Sequence, residues 1–170
     1  MQQLKFKLTF ILLIICINAF SQDFLWTNAN RSISICCKPN WISIKPVDNS
    51  VVTFKPSYER IKNKFTSIAL TVTSIDNKIN TLSGMKEFMR KYITNTKTGK
   101  LISFENIKDG ERDILVSTMA RTAGSTTYIY KSYVFIFKKK FYNLMLNSPE
   151  VDFRPNEIIL KDMYETLIVK

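Results

Sequence analysis

Apolar and polar residues alternate one by one over residues 32–38, with Ile33, Ile35 and Cys37 on one side and Ser32, Ser34 and Cys36 on the other. This period of two predicts a strand with Cys37 on its apolar face, and Pro39 and Asn40 end it. Trp41, Ile42 and Ile44 follow; residues 45–50 read as a turn and residues 51–54 as a short strand closed by Pro56. Residues 58–64 are polar and read as a loop. Over residues 66–74, Ile68, Leu70 and Val72 oppose Ser67, Ala69 and Thr71, a strand rich in β-branched side chains. The period then lengthens. Leu82, Met85, Phe88, Met89, Tyr92 and Ile93 recur at three- and four-residue steps, predicting an amphipathic helix with Lys86, Glu87, Arg90 and Lys91 outside. Thr81 or Ser83 is its expected cap, and Gly99 belongs to its exit loop.

The second half is mostly strand. Residues 102–107 and 112–119 flank Lys108, Asp109, Gly110 and Glu111, an Asp-Gly hairpin signal. A loop over residues 121–125 contains Gly124, and long strands follow over residues 127–137 and 141–147, separated by Lys138, Lys139 and Lys140. Tyr128, Tyr130, Val134 and Ile136 alternate with Ile129, Tyr133, Phe135 and Phe137, so both faces of this strand are apolar and both require cover. Helices supply it. Pro155 is expected to open the last one at its first position, with Ile159, Leu160, Met163, Tyr164 and Leu167 forming its apolar stripe.

Residues 1–21 follow a different rule. Lys5 and Lys7 precede an unbroken apolar run over residues 8–17, and Ala19 and Ser21 are small residues flanking Phe20. That is the layout of a cleaved export signal, with the mature chain starting at Gln22, and the run is about half of the ~20 residues a membrane span needs. Cys16 follows Ile15 inside this run, unlike the small residue that precedes a lipoprotein cysteine. Cleavage leaves residues 22–170 as a single domain and lowers the formal charge from +11 to +9 by removing two lysines. The expected location is the periplasm or outside the cell. The positive residues are dispersed, without an Arg-rich tract or an aromatic RNA-binding signature, so no nucleic-acid partner is expected. An anionic membrane surface or an envelope protein suits the charge, with Lys138, Lys139 and Lys140 as the candidate partner-binding residues.

Histidine is absent, which removes the commonest general base, the Ser-His and Cys-His pairs and the commonest zinc ligand. The four glycines are too far apart for a phosphate-cradling loop. Glu105, Asp109, Glu111 and Asp113 lack the spacing of a calcium loop, and Lys108 and Arg112 neutralise them, so they read as a hairpin turn. No catalytic, metal-binding or cofactor-binding residue is assigned, and no cofactor is expected. Adjacent Cys36 and Cys37 cannot close a loop as a scaffold would. They read as two structural thiols or, if a reaction exists, as the candidate redox pair. The aromatic series from Tyr128 to Tyr142 reads as core packing or as the wall of an apolar cavity, which would make the protein a carrier of a small molecule or lipid.

The order of segments resembles the PsbP-like family, which includes the photosystem II extrinsic P protein and DcrB-type envelope proteins. The matching pieces are the opening strand into Pro39, Asn40 and Trp41, the helix opened by Thr81 and Leu82, the hairpin at Asp109 and Gly110, the strand pair over residues 128–145 and the C-terminal helix. The resemblance implies an α+β fold, an antiparallel β-sheet flanked by helices as an α/β/α sandwich. It further implies a non-catalytic binding or assembly module. Metal positions proposed for plant members have no histidine to match here.

Overall fold

The computed structural model describes residues 23–46, 50–57, 66–75, 79–96 and 98–170. The segment read as an export signal and the loop expected over residues 58–64 lie outside the described residues. Strands β1 (Phe24–Thr27), β2 (Ile33–Cys37), β3 (Trp41–Ile44), β4 (Ser50–Pro56) and β5 (Ser67–Ser74) precede helix α1 (Leu82–Thr94). Four long strands follow, β6 (Gly99–Asp109), β7 (Arg112–Ala123), β8 (Thr126–Phe137) and β9 (Lys140–Pro149). A 3-10 turn at Glu150–Asp152 leads into helix α2 (Phe153–Glu165) and the short strand β10 (Ile168–Val169).

The strands form a seven-stranded antiparallel sheet, ordered β3-β4-β5-β9-β8-β7-β6, and a small sheet ordered β1-β2-β10. Because side chains alternate along each strand, the large sheet offers two faces. One receives α2 and the small sheet: Ile35, Cys37, Leu160 and Met163 pack with Phe54, Leu70, Phe135 and Leu144, all at 0% exposure. Lys131 of β8 reaches Glu157 of α2 at 2.6 Å, and Asn156 Nδ2 donates to Ser148 Oγ at 3.1 Å, so polar contacts also fix the helix. Against the other face α1 lays Leu82, Met85 and Met89 on Leu115, Val134 and Phe141. The expected sandwich of an antiparallel sheet between helices is the observed one.

Several local expectations need correction. Gly99 begins β6 instead of lying in a loop. Pro155 stands third in α2, where Asp152 is the cap; its missing N–H is still harmless, because first-turn amides have no intrahelical acceptor. Thr81 caps α1, its Oγ1 accepting from Gly84 N at 3.0 Å. Phe88 and Tyr92 belong to the apolar stripe by spacing, yet they are 52% and 61% exposed. Helix α1 is apolar over a wider arc than its contact with the sheet.

Candidate functional site

Three two-residue turns join the four long strands, and their chemistry differs. In β6–β7, Asp109 pairs with Arg112, leaving Gly110 at φ 58° as the first central residue. In β7–β8, Ala123 pairs with Thr126 and Gly124 takes φ 61°. Glycine adopts such angles without steric cost. In β8–β9, Phe137 pairs with Lys140, and the central residues are Lys138 at φ 45° and Lys139 at φ 59°. Two successive left-handed residues make the turn that normally selects Asn-Gly. A lysine there costs roughly 1 kcal/mol relative to glycine, because its Cβ crowds the backbone. The turn is held by its surroundings: Ile75 N donates to the Lys139 carbonyl at 3.2 Å, and Lys138 Nζ lies 5.4 Å from the Phe137 ring centre. All three lysines are exposed.

The same end of the large sheet carries a cleft of about 1060 Å³. Its walls come from the start of α1, the β6–β7 hairpin, the end of β8 and the segment after α2. Asp109, Glu111, Asp113 and Glu165 line it with Arg112. Arg112 sits 5.3 Å from the centre of the buried Phe135 ring, while Asp109 Oδ2 accepts from the Tyr164 hydroxyl at 3.0 Å. Burial, followed by the contact with Asp109, holds the Tyr164 phenol well above its ordinary ionisation range. An acidic cleft therefore adjoins a basic turn, an arrangement suited to reading a partner with charge of both signs. Among the described residues no three Cys, Asp or Glu side chains are placed to hold a metal ion.

The structure places Lys138, Lys139 and Lys140 together at one turn and brings Asp109, Glu111 and Asp113 of the acidic series into the neighbouring cleft; Glu105 is on the exposed part of β6. Cys36 and Cys37 are free. Cys37 is buried in the core beside Ile35, and Cys36 is half-buried on the opposite side of β2, where its N–H donates to Thr166 Oγ1 at 3.0 Å. Burial pushes the Cys37 thiol up to about 12, with the Asp23 carboxylate adding to the effect. The aromatic series is largely packed: Phe135 stacks on Tyr142 at 5.2 Å and Tyr133 on Tyr164 at 4.6 Å. Sequence reasoning missed the cleft, whose walls are far apart in the chain, and missed the strain of the lysine turn, because lysine is not a left-handed signal.

No family model matches the chain, and no curated protein is detectably similar to it in sequence. Solved structures share its fold. The cyanobacterial PsbP (CyanoP) of Synechocystis superposes with a TM-score of 0.65 at 11% identity, over 87% of this chain and 92% of that one. The Ran-binding protein Mog1p of Saccharomyces cerevisiae gives 0.61 at 11%, over 88% and 96%. LpqN of Mycobacterium tuberculosis, described as involved in cell envelope biogenesis, gives 0.61 at 10%, over 88% and 91%. The chain has the fold that PsbP and Mog1p share. Among the described residues no helix is long and apolar enough to cross a membrane.

Proposed function

We propose that this chain is an exported, non-catalytic binding or assembly protein of the bacterial cell envelope that contacts a protein or anionic-surface partner through Lys138, Lys139 and Lys140. Export rests on the signal pattern of residues 1–21, with residues 22–170 as the mature domain. The absence of histidine, the commonest general base, favours binding over catalysis. The envelope role of LpqN and the Ran binding of Mog1p, on the same fold, support an interaction module; because a fold carries many functions, the site must carry the argument.

The carrying observation is the left-handed backbone at Lys138 and Lys139. A position that glycine or asparagine would fill with less strain holds two lysines, exposed and beside the cleft. Strain of this kind concentrates where function outweighs stability. Replacing all three lysines by glutamate in the protein expressed in its host tests the reading. The expected outcome is loss of a low-salt association with envelope material, while export and thermal unfolding persist. An association that survives both charge reversal and high salt overturns the electrostatic contact.

A further inference from the structure

The two helices lie on opposite faces of the large sheet, and they differ in charge. Helix α2 carries Arg154 and Lys161 against Glu157, Asp162 and Glu165, a net charge of −1. Helix α1, with the same 13 residues, carries Lys86, Arg90 and Lys91 against Glu87, a net charge of +2. Glu87 is already engaged by Arg90 at 3.2 Å. Of the strands beneath α1, β8 and β9 contain no acidic residue. Because Leu82, Met85 and Met89 hold α1 on the sheet, Phe88 and Tyr92, one turn apart, stand on its free side beside exposed Lys91. Helix α2 exposes Ile158 instead. The patch continues past the end of α1. Arg121 of β7 is exposed, stands an even number of residues from Leu115 and so shares its face, and pairs with Gly99, where β6 begins. Arg121 and Tyr92 both lie near enough to Tyr130 to affect its ionisation, which places them at one end of the patch.

We propose that this face, the outer side of α1 together with Arg121, lies against an anionic lipid bilayer, with Phe88 and Tyr92 entering the headgroup layer and Lys91 and Arg121 meeting lipid phosphates. An amphipathic helix with aromatic and basic residues on its free side binds a membrane through apolar area and attraction to anionic lipid together. Aromatic rings suit the headgroup level, where a phenol keeps its hydroxyl wet while its ring leaves water. A stable protein interface buries about 800 Å² on each side, several times what two half-exposed rings supply. Cations at a membrane, by contrast, act one by one, and each strengthens binding about fivefold. None of these groups belongs to the lysine turn, so this contact goes beyond the proposed partner contact and fails separately from it.

Protein purified from its own host, mixed at low salt with vesicles of equal parts phosphatidylglycerol and phosphatidylcholine or of phosphatidylcholine alone, provides the test by flotation. Binding to the anionic vesicles is expected, and high salt should weaken it. Phe88→Ser combined with Tyr92→Ser should reduce affinity about tenfold or more, and Arg121→Gln about fivefold, while thermal unfolding persists. Emission of a Phe88→Trp variant should move to shorter wavelength on anionic vesicles, and that of Ile158→Trp, on the outer side of α2, should not. The unsubstituted protein supplies the background of Trp26 and Trp41. Absent binding, equal binding to the neutral vesicles, or a shift from Ile158→Trp in place of Phe88→Trp would overturn the inference. So would binding that is lost when Lys138, Lys139 and Lys140 become glutamate but is untouched by the two serines, since the membrane would then belong to the lysine turn.

Discussion

Two adjacent thiols on β2 have opposite fates because a strand turns neighbouring side chains to opposite faces. Cys37 is 0% exposed and its thiol is raised to about 12, whereas Cys36 reaches the half-buried side. Only a thiolate attacks an alkylating reagent. Iodoacetamide at mildly alkaline pH should therefore label Cys36 and spare Cys37, as peptide mass spectrometry can read, and labelling of Cys37 should rise only as pH approaches about 12. The sign for stability follows. A thiol whose folded value lies above its ordinary 9.0 stabilises the fold fully below that value and loses this contribution as pH rises from 9.0 towards 12. The fold should then melt at lower temperature across that window, and Cys37→Ala should flatten the part of the slope that Cys37 supplies. The inward side of Cys37 was legible in the sequence, since alternation with Ile33 and Ile35 defines the face. The buried, unpartnered side-chain oxygens of Ser117, Ser132, Asn143 and Asn147 were not, because a serine or asparagine in a strand is ordinary until its partners are counted in three dimensions.

Strand register decides what each turn must do. With Phe137 opposite Lys140, the two lysines between them close the turn with both in the left-handed region, whereas in the other two turns only the first central residue, a glycine, takes it. Replacing the pair by the preferred residues, Lys138→Asn with Lys139→Gly, should stabilise the protein by about 1 kcal/mol, raising the melting temperature by roughly 2–4 °C for a chain of this size. Thermal denaturation followed by circular dichroism checks it; an unchanged or lower melting temperature would show that the lysines are not strained. The long strands themselves were legible, because β7, β8 and β9 carry runs of β-branched, aromatic and other apolar residues bounded by turn signals, which need no tertiary information. Their ends were less so: β7 runs on to Ala123 and β9 to Pro149, since pairing with β8 extends the ladder past the residues whose hydrophobicity announces a strand. The stripe of α1 was overread for a related reason. Spacing places Phe88 and Tyr92 with the apolar residues, but a single helix resting on a sheet buries only the arc that touches it.

At the scale of the molecule, antiparallel connection sends the two glycine turns and the lysine turn to alternate ends of one sheet. The β6–β7 and β8–β9 turns share an end with the acidic cleft, and the β7–β8 turn, at Gly124 and Ser125, marks the other. The sandwich could be anticipated from strands apolar on both faces, but the joining of acidic cleft and basic turn could not, since Glu165 and Asp109 meet only through the docking of α2. The central claim is that the lysine end of the sheet is the surface that meets the partner. A photo-reactive amino acid at position 139, leaving Lys138 and Lys140 in place, and a second variant with it at exposed position 125 compare the two ends in living host cells. The account predicts a discrete, salt-sensitive cross-link from position 139 and none from position 125. A cross-link from position 125 alone, or equal labelling from both ends, would contradict it.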